Sequence, residues 1–131
     1  MDLTDKRVLV VDDEPSVLMS VSMMLESRGC KVYQADSGTA ALNQLGEISG
    51  ELDCIILDYT MPKLNGLQVL EKIRESGIET PVIMCSGLPL SKDENNCPAW
   101  PNEILSKPFQ MNDLYRKINQ VNNESSSNQS S

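Results

Sequence analysis

The 131-residue chain contains no histidine. That absence removes Ser-His-Asp and Cys-His catalysis, histidine-ligated zinc and any role as a phosphohistidine donor. Its chemistry must run on carboxylates, hydroxyls and lysine. Cationic side chains are also scarce: 11 Lys and Arg stand against 19 Asp and Glu, for a formal charge of -8. Nucleic acid and anionic membranes both demand a basic footprint, so neither is an expected partner. The first apolar run, Val8 to Val11, is far too short for a signal-peptide core or a membrane span. Cys30, Cys54, Cys85 and Cys97 include no C-x-x-C pair, which argues against a zinc ribbon or a thioredoxin-like site. They read as small buried hydrophobes in a reducing cytosol, and the expected location is cytoplasmic. A chain of this length makes one domain that folds without disulfides or a structural metal.

What is present is an alternation. Val8 to Val11 is a β-branched run ending at Asp12 and Asp13, as a strand buried on both faces would look. Pro15 then opens a helix in which Val17, Leu18, Val21, Met24 and Leu25 share a face until Gly29. Val32 to Ala35 is a second strand, and Ser37 caps a helix containing Ala40, Ala41 and Leu42. Cys54 to Leu57 is a third strand, ending at Asp58 before a turn through Pro62 and Asn65-Gly66. Leu67, Val69, Leu70 and Ile73 form a third helix, Val82 to Cys85 a fourth strand ending at Ser86, and Ile104-Leu105 a short fifth strand ending at Lys107. Met111, Leu114, Ile118 and Val121 line a last helix. This pattern predicts an α/β fold with one parallel sheet covered on both sides.

Two stretches break the regularity. Between Ser86 and Glu103 lie three prolines and two adjacent asparagines, so the helix due there is expected to be short, irregular or missing, with Ser91 to Glu94 as its capping box. The domain is placed at 1–121, followed by a disordered polar tail over 122–131. Met19, Met23, Met24, Met84 and Met111 read as packing side chains, and Tyr59 as an exposed loop residue. Trp100 has two readings of equal weight, a partner anchor or a cover for apolar surface.

Ligands of open parallel sheets bind beyond the carboxyl ends of the strands. Four of the five predicted strands deliver a charged or reactive group there: Asp12 and Asp13, Asp58, Ser86, and Lys107. If the first and third strands are neighbours, three carboxylates share a pocket. Unit charges about 4 Å apart repel by roughly 4 kcal/mol at an effective dielectric of 20, so the cluster takes up protons or binds a cation. An all-oxygen ligand set that also expects phosphate favours Mg²⁺. A carboxylate nucleophile beside a metal, a hydroxyl and an ammonium points to phosphoryl transfer onto an aspartate.

At these residues the chain resembles the receiver domain of two-component response regulators. The matching segments are VLVVDDEP, CIILDYTMPKLNG, VIMCSG and LSKPF, in order within residues 6 to 121. The resemblance implies a flavodoxin-like, doubly wound five-stranded sheet of order 2-1-3-4-5. It implies Asp58 as phospho-acceptor, and Mg²⁺ held by Asp12, Asp13, Asp58 and the backbone carbonyl of Thr60. Ser86 and Lys107 would contact the phosphoryl oxygens. Thr60 and Leu88 hold positions that tune acyl-phosphate lifetime, and Pro62 and Gly66 match the turn after the acceptor. Such a module takes a phosphoryl group from a histidine kinase or histidine phosphotransfer protein and signals through contact with a downstream protein. It is not an enzyme, although it assists its own phosphorylation and dephosphorylation.

In two respects the chain departs from the family: Ile104 stands where an aromatic switch residue is usual, and the irregular segment 87–102 replaces much of the output surface. The chain is expected to be a free-standing regulator or an excised receiver, with its first Met and polar tail leaning to the former. The alternative activity is a haloacid dehalogenase-like phosphatase, against which Thr60 stands where a general-acid aspartate belongs. A flavin carrier fits less well, because acids after the first strand repel a cofactor phosphate.

Overall fold

Burial on both faces explains why three of the strands carry almost no polar residue. The computed structural model describes residues 3–92 and 99–130, without the side chains of 123–130. Its strands are β1 (Arg7–Val11), β2 (Lys31–Ala35), β3 (Cys54–Asp58), β4 (Val82–Ser86) and β5 (Glu103–Ser106). They form one all-parallel sheet in the order β2-β1-β3-β4-β5. The order and fold are those expected. All residues of β3 and β4 are buried, whereas the edge strands β2 and β5 alternate with half-buried and exposed positions.

Among the described residues the helices are α1 (Pro15–Glu26), α2 (Gly38–Ile48), α3 (Gly66–Glu75) and α4 (Met111–Ser130). Pro15 occupies the first turn of α1, where its missing N–H costs nothing. Ser37 Oγ accepts from Ala40 N at 3.0 Å at the start of α2. Asn65 and Gln68 close a reciprocal capping box on α3.

Two apolar layers follow from the period-two alternation of β1. Val8 and Val10 point with Leu18, Val21 and Leu25 of α1 and Leu114, Ile118 and Val121 of α4. Leu9 and Val11 point the other way, with Leu45 of α2 and Leu67, Leu70 and Ile73 of α3. Trp100, Ala99, Leu90 and Ile104 are half-buried and pack against this second layer, so the indole covers apolar surface, as the second of its two readings had it. Tyr59 packs there too, more enclosed than an exposed loop tyrosine.

The methionine reading is corrected on α1. Met84 is fully buried and Met111 packs against the first layer, but Met19, Met23 and Met24 face outward. Helix α1 is apolar nearly all round, and the sheet takes only the face with Leu18, Val21 and Leu25. The backbone of α4 is helical to Ser130, past the predicted domain end; extending an anchored helix adds one hydrogen bond per residue fixed. The capping box at Ser91 to Glu94 and Cys97 fall largely or wholly on residues 93–98, outside the described residues.

Candidate functional site

The sheet order makes β1 and β3 neighbours and places the reversal of winding between them, where a crevice opens at their carboxyl ends. Val11 pairs with Leu57, so Asp12, the next residue, comes level with Asp58. Asp58 in turn pairs with Cys85, and Ser86 with Ser106, which precedes Lys107. The register thus carries Asp12, Asp58, Ser86 and Lys107 to one rim, with Asp13 next to Asp12 in the chain.

Asp12, Asp13 and Asp58 each offer a carboxylate oxygen, and the three atoms lie within 4.8 Å of one another. Asp12 and Asp58 are each 5% exposed, while Asp13 is half-buried. Lys107 Nζ donates to Asp58 Oδ1 at 2.9 Å and stands 3.8 Å from Asp12 Oδ2. The backbone N–H of Glu14 donates to the other Asp12 oxygen at 2.9 Å, fixing that carboxylate where α1 begins. The β5 end is tied in by Lys107 N, which donates to Ser86 O at 2.8 Å; Lys107-Pro108 is a cis peptide.

Burial raises the Asp58 carboxyl above its ordinary range; the negative charges of Asp12 and Asp13 add to this, and the Lys107 ammonium opposes it. Burial works against the charged form of Lys107, but its hydrogen bond to Asp58 and the charges of Asp58 and Asp12 outweigh that and raise its value. Three carboxylates facing one ammonium leave the pocket electron-rich. The donors are hard oxygens, two of them withdrawn from water, so the residues present fit a small divalent cation such as Mg²⁺. Thr60 is exposed in the turn after β3, two residues beyond Asp58.

Ser86 is 2% exposed, and its hydroxyl donates to Leu88 O at 2.8 Å while accepting from Leu88 N at 3.0 Å. The engagement with Leu88 was not anticipated from sequence; its signal is the serine two residues before the paired backbone, a hydroxyl turn. A second unanticipated neighbour is Cys85, whose thiol is pushed up to about 12 by burial and senses Lys107, Asp58 and Asp12 from behind the site. It is a neutral thiol there. Gly66 closes the turn after the acids: its N–H donates to Tyr59 O at 2.7 Å. A Cβ at that position would lie 2.8 Å from Asp58 O and against Met84 Sδ.

Comparison with known proteins agrees with this geometry. Residues 8–119 match the family described as response regulator receiver domain. The chain is 33% identical over 113 residues to the transcriptional regulatory protein DltR of Streptococcus agalactiae, covering 86% of this chain and 50% of that protein. It thus spans about half the length of the curated relatives it matches. The receiver domain of Francisella response regulator 1452 superposes with a TM-score of 0.81 at 27% identity, covering 92% of this chain and 99% of the other. The receiver domain of the sensor histidine kinase PA1611 of Pseudomonas aeruginosa superposes with a TM-score of 0.79 at 28% identity, covering 92% and 99%; that protein has a magnesium ion coordinated in its active-site cleft. Nothing in these likenesses supports a phosphatase.

Proposed function

Because this chain belongs to the response regulator receiver domain family, a signalling family, we propose that Asp58 is its phospho-acceptor. The observation that carries the reading is the contact of Lys107 Nζ with Asp58 Oδ1 at 2.9 Å, inside a cluster with Asp12 and Asp13. An Asp58 carboxylate oxygen attacks the phosphorus of a donor phosphoramidate or acyl phosphate; the new P–O bond forms as the bond to the donor breaks, and the donor leaves with the electron pair. Asp12, Asp13, Asp58 and the Thr60 carbonyl would hold Mg²⁺, which would supply charge neutralisation to the phosphoryl oxygens. Lys107 already spans Asp58 and Asp12, and its ammonium meets the same oxygens once its bond to Asp58 is given up. The Ser86 hydroxyl reaches them on release from Leu88. Positioning by these groups is also what assists the chain's own phosphorylation and the hydrolysis of the product.

With no histidine in these 131 residues, a phosphohistidine donor must be a separate domain or chain: a histidine kinase or histidine phosphotransfer protein. The output is contact with a downstream protein. The signalling unit is assigned to residues 1–121, Val121 being the last buried residue of α4 among those whose side chains are described. Free buried thiols at Cys30, Cys54 and Cys85 fit a reducing, cytoplasmic setting, and among the described residues no helix is long and apolar enough to cross a membrane.

The test is intact-mass measurement after incubation with acetyl phosphate and Mg²⁺. Wild type is expected to gain one phosphate and Asp58→Asn none. Labelling that survives Asp58→Asn names another acceptor.

A further inference from the structure

We infer that Met19 and Met23, with Met24 beside them, form a modification site on α1 for oxygen-transferring two-electron oxidants of the peroxide or hypohalous acid class. Met19 and Met23 are each 61% exposed and Met24 is 44% exposed. Met61 is 8% exposed and Met84 not at all, and Met111 packs against the core. Among the described residues, accessible thioether is therefore concentrated on one helix. Met19 and Met23 are four residues apart and share a face. That face is chemically odd for a chain of charge -8: the exposed positions from Pro15 through Met24 are proline, serine and methionine, and Glu26 is the one charged residue of α1.

The step is balanced with the oxidant alone. The thioether sulfur attacks one oxygen of hydrogen peroxide, an S–O bond forms as the O–O bond breaks, and the sulfur gives up two electrons. The departing hydroxide takes the proton from the transferred oxygen and leaves as water. The product, methionine sulfoxide, is polar and is returned to thioether by methionine sulfoxide reductases. An apolar helix face becomes a polar one, reversibly. The fold is spared, since α1 is held by Leu18, Val21 and Leu25 on its other side. The seam with α4 is spared too, because Tyr115 Oη donates to the Met24 carbonyl and not to its sulfur.

The test uses the full chain titrated with hydrogen peroxide under native conditions, with peptide mapping by mass spectrometry. Oxygen is expected at Met19 and Met23 first and Met24 next, at least about tenfold faster than at Met61 or Met84. Retention on a hydrophobic-interaction column should fall and be restored by a methionine sulfoxide reductase. The triple substitution Met19→Leu, Met23→Leu, Met24→Leu, checked for folding by its thermal melt, should keep its retention after peroxide. Uptake spread evenly over all the methionines, or oxidised wild type that elutes unchanged, overturns the proposal. Acetyl phosphate labelling of Asp58 in the oxidised protein is read separately, so failure of the acceptor assignment is distinguishable.

Discussion

Asp58 is held in a place that suits chemistry better than stability. Its folded-state value is raised above the ordinary 3.8, first by burial and then by Asp12 and Asp13. The native state therefore binds this proton more tightly than the unfolded chain does. The resulting stabilisation is fully present below the ordinary carboxylate range and is lost as pH rises through the raised native value. At neutral pH, without metal, the charged carboxylate is a net burden, and Asp58→Asn removes the charge while keeping an oxygen that accepts from Lys107. We expect Asp58→Asn to melt higher than wild type in EDTA at pH 7. A gain of about 1 kcal/mol corresponds to roughly 4 °C for a chain of this size. The difference should shrink as pH is lowered toward the carboxylate range, which paired thermal melts would read. An Asn variant that melts lower at pH 7 would mean that the Lys107 ion pair outweighs desolvation. Ser86 makes the complementary point: its hydroxyl is fully engaged by Leu88, so its contribution appears only when that turn opens.

Among the elements, the β3–α3 connection is the least tolerant. Gly66 begins α3 directly beneath the acids, and a methyl group there would meet the backbone of Asp58 and Tyr59 as well as Met84. Backbone cannot step aside as a flexible side-chain end can, so Gly66→Ala should destabilise the fold by about 2 kcal/mol or more and weaken acetyl phosphate labelling by displacing Asp58. Chemical denaturation and the labelling assay check both halves; an unchanged midpoint would refute the close-packing account. This loop was legible in the sequence, because Pro62 and Asn65-Gly66 after an apolar run ending in Asp58 mark a turn at the sheet rim. Strands β1, β3 and β4 were legible for the same physical reason, since burial on both faces leaves only apolar residues. Helix α1 was legible in its extent and in Leu18, Val21 and Leu25 of its buried face, but not in its outer face. With Met19, Met23 and Met24 continuing the apolar residues around its circumference, composition does not mark where the buried side ends, and the outward methionines were read as core. Polar residues after Val121 hid the continuation of α4 likewise, because propagation depends on the anchored turn before them more than on their own preference.

Over the molecule as a whole, the acidic pocket is one local part of a chain carrying a formal charge of -8. General self-repulsion is relieved by any salt, through screening over about 10 Å at 0.1 M ionic strength. The pocket answers to something narrower. It joins three carboxylates from the ends of two different strands, and those oxygens come together only when β1 and β3 are paired. A cation that requires all three therefore binds the folded chain and not the unfolded one, and stabilises it by mass action. At a hundred times its dissociation constant that amounts to about 2.7 kcal/mol. For a chain of this length the melting temperature should rise by roughly 10 °C with saturating Mg²⁺. NaCl of equal ionic strength should give only the smaller screening effect. Asp13→Asn removes a ligand without touching the Lys107 contacts, so it should abolish most of the Mg²⁺ increment and leave the NaCl increment intact. Because the ligands must be ionised, the Mg²⁺ increment should also fade as pH drops toward the carboxylate range, since burial holds the Asp58 carboxyl above its ordinary value. Equal Mg²⁺ and NaCl increments in wild type, or an undiminished Mg²⁺ increment in Asp13→Asn, would assign the acids to surface charge and remove the metal from the site.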